Sequence, residues 1–190
     1  DQLKEGGEIV KRMVERIRRM VQDILLYAKE RDLKRERVDV LDFAKEIALT
    51  VEPKIKKTGI KFQHDFEPSA GSIEIDTGYV SAALVNILDN AVDACTKDTR
   101  KKDHTIRFGV KPDRNDIVFT VRDNGIGMDL ETREQAFSLF YSSKGKKGTG
   151  LGLFIASKFI GQHGGSIHID SVQGQGSQFT VRIPRSEESD

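Results

Sequence analysis

The first 37 residues carry an apolar repeat that is typical of a helix packed against other helices. Its residues recur alternately three and four positions apart, which is the heptad pattern. They are Val10, Met13, Ile17, Met20, Ile24 and Tyr27, with Val14, Val21 and Ala28 seven apart beside them. The pattern predicts a long bundle-forming helix over about residues 8–34, roughly 40 Å in length at 1.5 Å per residue. We expect it to join a helical bundle between two copies of the chain, with packing onto its own globular part as the alternative.

From about residue 38 the sequence changes to mixed helix and strand signals. The first signals are a helix through Phe43, Ile47 and Val51 that contains Pro53 and stops before Gly59, a strand through Ile60, Phe62 and Phe66, and an apolar pair at Ile73 and Ile75. A helix capped by Asp76 or Thr77 should follow to about Thr96, then strands over 105–110 and 116–122 joined by a turn over 112–115. A helix from about Thr149 to His163 and strands over 166–171 and 178–183 complete the pattern. These elements predict a two-layer α/β sandwich, a mixed sheet covered by helices on one face.

Composition narrows the classes of partner and compartment. The chain has 31 basic and 30 acidic residues, and this balance gives no support for a nucleic-acid partner. The single cysteine, Cys95, excludes an internal disulfide and fits a reducing compartment. No apolar run approaches the ~20 residues that cross a bilayer. We expect a soluble cytoplasmic domain, in a parent protein that a separate sensor region could anchor to a membrane.

The predicted helix over residues 77–96 carries a polar face. Asn86, Asn90 and Asp93 are spaced by four and three, so they share one side of the helix while apolar neighbours face the core. Amide oxygens suit a hard cation, and amide N–H groups suit phosphate oxygens. Standing alone, such a set would be read as a solvated helix face.

Three further blocks follow in the chain. Asp123 directly follows a predicted strand and precedes Gly125, Gly127 and Met128; by itself this segment is typical of a turn. An aromatic segment, residues 137–144, ends in Lys144. The last block joins a loop to a helix, where free amides and the helix dipole suit a polyphosphate, and it does not have the order of a Walker loop. Its residues are Gly148, Thr149, Gly150, Leu151 and Gly152.

In this order and spacing the four blocks resemble the ATP-binding fold shared by histidine kinases, DNA gyrase and the mismatch-repair ATPases. The resemblance implies that ATP and Mg²⁺ are the cofactors, with Asn90 holding the metal and Asn86 as its partner. It implies that Asp123 accepts the adenine amine, with Gly125, Gly127 and Met128 around the base. Lys144 would neutralise a phosphate, Asp93 would lie at the nucleotide, and residues 148–152 would bind the phosphates. Asn86, Asn90 and Lys144 are therefore the expected catalytic residues.

Two features favour a kinase within this group. The ATPases of the fold have a glutamate base at the position of Asn86, and an amide cannot take a proton from water at neutral pH. In addition, residues 21–29 followed by 38–40 resemble the second helix and linker of a sensor histidine kinase dimerisation hairpin. The resemblance implies a homodimer through the bundle and a response-regulator receiver domain as partner. The phosphoacceptor histidine would lie on a first helix that the sequence does not contain, because none of the four histidines falls on the bundle helix.

The resemblance also suggests a domain division. Residues 1–37 would be the second hairpin helix, 38–59 the linker and first helix of the catalytic domain, 60–185 the ATP-binding catalytic domain, and 186–190 a tail. Two other functions stay open. Asp93 stands where many histidine kinases have a basic residue. The acidic residue is closer to gyrase, so an ATPase is the second function. A non-catalytic binding module is the third reading, although the intact blocks argue against it.

Overall fold

The computed structural model describes residues 6–7, 10–11, 13–14, 17–18, 20–21, 24–25, 32–141 and 149–185. The described residues between 6 and 25 are helical, as predicted, and several of their apolar side chains, such as Val10 and Ile17, are exposed. Tyr27 and Ala28 lie outside the described residues. Residues 32–35 have no regular structure, so the predicted continuation of the helix to residue 34 is wrong. The backbone N–H of Lys34 instead donates to Asp76 Oδ2 over 3.0 Å.

The elements after residue 35 alternate between strands and helices. The first are strand β1 (Glu36–Asp39), helix α1 (Val40–Lys56), strand β2 (Lys61–Phe66), a 3₁₀ turn (Pro68–Ala70) and strand β3 (Ser72–Ile75). They are followed by helix α2 (Thr77–Lys97), strand β4 (Thr105–Asp113), strand β5 (Asp116–Asp123) and helix α3 (Leu130–Gln135). The last are helix α4 (Gly152–Gln162), strand β6 (Ser166–Val172) and strand β7 (Gly176–Pro184).

The main sheet has five strands in the order β2-β4-β5-β7-β6. Strand β2 runs parallel to β4 and the other neighbours are antiparallel, so the sheet is mixed as predicted. Phe108, Phe119 and Phe179 are fully buried beneath the helices, and the ring of Phe43 in α1 meets Phe119 edge to face at 6.3 Å. The predicted class of fold, a sheet covered by helices on one face, is confirmed.

Helix α1 forms where its apolar periodicity predicts and ends before Gly59. Its N-cap Asp39 accepts from the Asp42 N–H over 3.0 Å, and the helix passes Pro53 and continues to Lys56. Strand β1 was not predicted, because residues 38–39 carry no strand pattern of their own. It forms by antiparallel pairing with β3, which lies more than 30 residues further along the chain.

Two boundaries differ from the prediction by three residues, the end of β4 and the start of α4. Strand β4 continues to Asp113, so the four-residue turn predicted over 112–115 is wrong, and a two-residue turn with Arg114 at φ 55° replaces it. Asp113 pairs with Asp116 across this turn, and Arg182 contacts their carboxylates at 2.7 and 3.4 Å respectively. Helix α4 begins at Gly152 and not at Thr149. Among the described residues no helix has both the length and the apolar character of a membrane span.

Candidate nucleotide-binding site

Helix α2 presents the predicted polar face. Asp76 caps the helix by accepting from the Tyr79 N–H over 3.2 Å, and the opposite side of the helix is buried through residues such as Leu84 and Leu88. Asn86, Asn90 and Asp93 are half-buried. The two asparagines lie one turn apart, as their spacing requires.

The start of helix α4 lies beside Asn86. A Cβ atom built on Gly152 would stand 3.3 Å from Asn86 Oδ1. Just before it, Gly150 has φ +69° and contacts the backbone of Phe140, whose N–H donates to the Gly150 carbonyl over 3.1 Å. A side chain at either glycine would crowd this approach. The structure thus brings the last glycine block against the asparagine face.

The loop that leads into α4 is described from Thr149 onward. The N–H of Leu151 donates to Thr149 Oγ1 over 3.3 Å, and the Leu151 side chain is buried. Lys144 and Gly148 lie outside the described residues, so their placement relative to the asparagines stays a prediction.

Asp123 is a buried carboxylic acid at the end of β5. Asp123 is only 4% exposed, and its side-chain Oδ1 accepts from the Gly125 N–H over 2.8 Å. Burial raises the pKa of Asp123 to about 6, although hydrogen bonds from the backbone of Gly125 and Ser177 and the charge of Lys101 act in the opposite direction. The group is therefore an ionised acceptor at neutral pH.

The segment after Asp123 is built against helix α2. A Cβ atom on Gly125 would stand 2.5 Å from the Ala94 carbonyl carbon, and the Ile126 N–H donates to the Ala94 oxygen over 3.2 Å. Gly127 has φ +64°, which favours glycine, and the Met128 N–H donates to Ser171 Oγ over 2.8 Å. The second block is thereby held beside the carboxyl-terminal part of the helix that carries the asparagines.

Sequence reasoning missed the part played by Lys101 and Asn124. Lys101 Nζ donates to the Asn124 carbonyl over 2.6 Å. The Asn124 side chain accepts from the Thr105 N–H over 2.8 Å and donates to the Asp103 carbonyl over 3.1 Å. These contacts fasten the loop after α2 to the Asp123 segment. No local pattern signals them, because their partners lie about 20 residues apart.

This fold, with Asp123 and its following glycines beside a helix that carries two asparagines, is the arrangement predicted above for an ATP-binding α/β domain. The family model for histidine kinase-, DNA gyrase B-, and HSP90-like ATPases matches residues 75–187, and the chain belongs to that family. The predicted family and its ATP-binding class are confirmed.

Two of the relatives that resemble the chain are histidine kinases. The methanogenesis regulatory histidine kinase FilI of Methanothrix harundinacea (strain 6Ac) is 39% identical over 114 residues, which are 59% of this chain and 12% of FilI. The signal transduction histidine-protein kinase AtoS of Escherichia coli (strain K12) is 26% identical over 181 residues, 95% of this chain and 29% of AtoS. The chain therefore spans less than a third of either protein.

Solved structures agree with this fold. The catalytic domain of histidine kinase ThkA superposes with a TM-score of 0.70 at 26% identity, over 80% of this chain and 96% of that one. ThkA in complex with the response regulator protein TrrA gives a TM-score of 0.80 at 26% identity, over 100% of this chain and 53% of that one.

Proposed function

We propose that the chain is the ATP-binding part of a sensor histidine kinase, which binds Mg-ATP and donates the γ-phosphoryl group to a histidine on a dimerisation helix outside this chain. The observation that carries the proposal is the convergence on helix α2: Gly152 lies against Asn86, and Gly125 lies against Ala94. One helix thereby joins a candidate phosphate loop to a candidate adenine acceptor. Membership of the family and the named histidine-kinase relatives support the assignment.

Magnesium fits the asparagine face by its donor chemistry. Mg²⁺ takes oxygen ligands and is commonly held by one or two protein groups, substrate phosphates and water. Asn90 would supply an amide oxygen, with Asn86 one turn away, and the bound ion would neutralise phosphate charge. No group of three or more His, Cys, Asp or Glu side chains that could hold a metal occurs in the described part of the chain.

The remaining described residues bind and orient the nucleotide. The ionised Asp123 carboxylate would accept the adenine amine, and the Gly125 and Gly127 backbone would lie against the base. The amides at residues 149–152 would face the phosphates at the start of α4. Positioning and charge neutralisation are most of what phosphoryl transfer requires of a protein.

Asn86 favours transfer to a side chain over hydrolysis. A carboxamide cannot accept a proton from water at neutral pH, so an attacking water would lack its base. The γ-phosphoryl group would then be transferred to a histidine, and later to an aspartate of a response-regulator receiver domain. The exposed apolar stripe of the amino-terminal helix would pair two copies in a bundle.

The test is a calorimetric titration of ATP into the chain with and without Mg²⁺, with phosphate release followed in the same samples. Binding that needs Mg²⁺, without appreciable turnover, is the expected result. Asn90→Ala should lower Mg-ATP affinity by tenfold or more, about 1.4 kcal/mol. The matched control is Asp89→Ala, which shortens the neighbouring polar side chain of α2, whose carboxylate contacts Lys54 of α1 at 2.5 Å. Absence of binding, or an unchanged affinity in Asn90→Ala, would contradict the nucleotide or the metal assignment respectively.

An ATPase that couples nucleotide state to a conformational change is the second candidate, favoured by the acidic Asp93 on the same helix face. Steady multiple turnover by the isolated chain would support it. Transfer from labelled ATP to a separately produced dimerisation hairpin with its histidine, with no signal when that histidine is replaced, would support the kinase.

A further inference from the structure

Helices α2 and α4 pack against each other in opposite directions, and two contacts define their register. At one end the rings of Tyr79 and Phe159 stack with centroids 4.1 Å apart and planes within 3°. At the other end Gly152 lies beside Asn86. The two contacts are seven residues apart on each helix, or about 10 Å at 1.5 Å per residue. A shift of α4 at the stacked end would therefore be carried to the Asn86 end.

His163 closes the stacked end. It is 3% exposed and lies just after the last residue of α4. Its Nε2 accepts from the Asp76 N–H over 3.0 Å, and its Nδ1 lies 2.7 Å from the Phe159 carbonyl. Because one partner is a donor and the other an acceptor, the ring must be neutral with its proton on Nδ1. Both ring nitrogens are then satisfied, and each joins a different helix.

Asp76 extends this junction to the chain before β1. Its N–H reaches His163, while its carboxylate accepts from the N–H groups of Tyr79 and Lys34. Thr77 adds a hydrogen bond of 2.6 Å from its hydroxyl to Glu36 Oε1. The segment that leads from the amino-terminal helix is thus attached at the point where α2 begins and α4 ends.

We propose that His163 is a positioning residue for the phosphate side of the site: by fixing α4 on α2 it holds the amides before Gly152 next to Asn86. The inference rests on the proposed nucleotide-binding function. Without the imidazole, the Asp76 N–H loses its partner in a buried position, and the end of α4 is free to slide or tilt.

The adenine side should not respond in the same way. Asp123 and Gly125 are held by β5, by β7 and by the backbone of Ala94, and none of these contacts involves α4. Loss of His163 should therefore weaken the recognition of phosphates much more than the recognition of the base. A general loss of structure would weaken both.

The experiment compares Mg-ATP with adenosine as probes, with binding of the full chain followed by calorimetry and NMR. His163→Leu should lower Mg-ATP affinity about tenfold, because α4 is no longer held in register on α2, and should change adenosine affinity less than twofold. His163→Gln can place an amide oxygen as acceptor for the Asp76 N–H and should recover most of the loss. His168→Leu is the control, because His168 is exposed on β6.

Equal losses for both probes, or no loss for either, would overturn the positioning role. If His163→Leu does not fold, Tyr79→Leu removes the ring stack at the same junction and carries the same expectation. Failure of the unaltered chain to bind either probe would count against the proposed function itself and is thereby distinguished from failure of this inference.

Discussion

Replacing Asp123 with asparagine should change how stability depends on pH. The carboxyl group of Asp123 is buried, and its pKa rises from 3.8 to about 6 on folding. A carboxyl with a raised folded pKa contributes its full stability below the unfolded pKa of 3.8, and that contribution is lost as pH rises through about 6. Wild type should therefore lose stability relative to Asp123→Asn between pH 4 and 7.

The size of the effect follows from the two pKa values. One pKa unit corresponds to about 1.4 kcal/mol, so the ionised Asp123 costs about 3 kcal/mol at pH 8. At pH 5 the cost is roughly half as large, because the folded carboxyl is still mostly protonated while the unfolded one is mostly ionised. Between pH 5 and 8 the free energy of unfolding of wild type should thus fall by roughly 1 to 2 kcal/mol relative to the variant.

The assay is urea denaturation of both proteins at several pH values from 5 to 8. Any constant difference that the new amide makes in hydrogen bonding cancels, because only the slope with pH is compared. Asp129→Asn is the control: hydrogen bonds from Thr132 lower the pKa of Asp129, so its titration lies below this range and its difference from wild type should stay flat. A flat difference for Asp123→Asn, or one of opposite sign, would refute the reasoning and mean that the Gly125 and Ser177 hydrogen bonds outweigh burial.

Two further predictions concern the same corner of the molecule. Gly125→Ala should destabilise the fold by about 1–3 kcal/mol in urea denaturation and weaken adenosine binding, since its methyl group would meet the α2 backbone; Gly161→Ala, on an open surface of α4, should instead stabilise by up to about 1 kcal/mol. Unchanged stability of Gly125→Ala would refute the close approach of Gly125 to the α2 backbone. Lys101→Met should raise the pKa of Asp123 further, because the lysine charge lowers that pKa. The ¹³C shift of the Asp123 carboxyl carbon would follow the titration. The exposed neighbour variant Lys102→Met should leave the pKa unchanged, and an equal shift in both variants would contradict a specific effect of Lys101.

Local patterns were enough to predict the elements that bury their own apolar face. Helix α2 carries its cap signal at Asp76 and its apolar residues at helical spacing, so both its start and its end were predicted within a residue. The hairpin of β4 and β5 was also predicted, although not its tight turn, where Asp113 contacts Arg182 of the distant strand β7. Strand β1 escaped prediction for the same reason, since its partner β3 is distant in sequence.

The candidate site likewise has features that local spacing predicts and features that depend on packing between distant elements. Asn86 and Asn90 could be placed on one face from spacing alone, and Asp123 at a strand end from the pattern before it. Their association with Gly152 and with Ala94 could not be derived from spacing, because it depends on how α4 and β5 pack on α2. The proximity was expected only through the family resemblance. Lys101 had neither a local pattern nor a recognised block to indicate its role.

The position of helix α1 has a consequence for how the protein can be divided. The match to the family model begins at residue 75, yet α1 precedes it and contributes buried residues to the same core, among them Val40, Phe43 and Ile47. Each fully buried side chain of this size is worth about 1.5–3 kcal/mol. A polypeptide cut at residue 75 would leave the hydrophobic side of the sheet around Phe119 open to water. The region that the family model matches is thus smaller than the unit that must fold together.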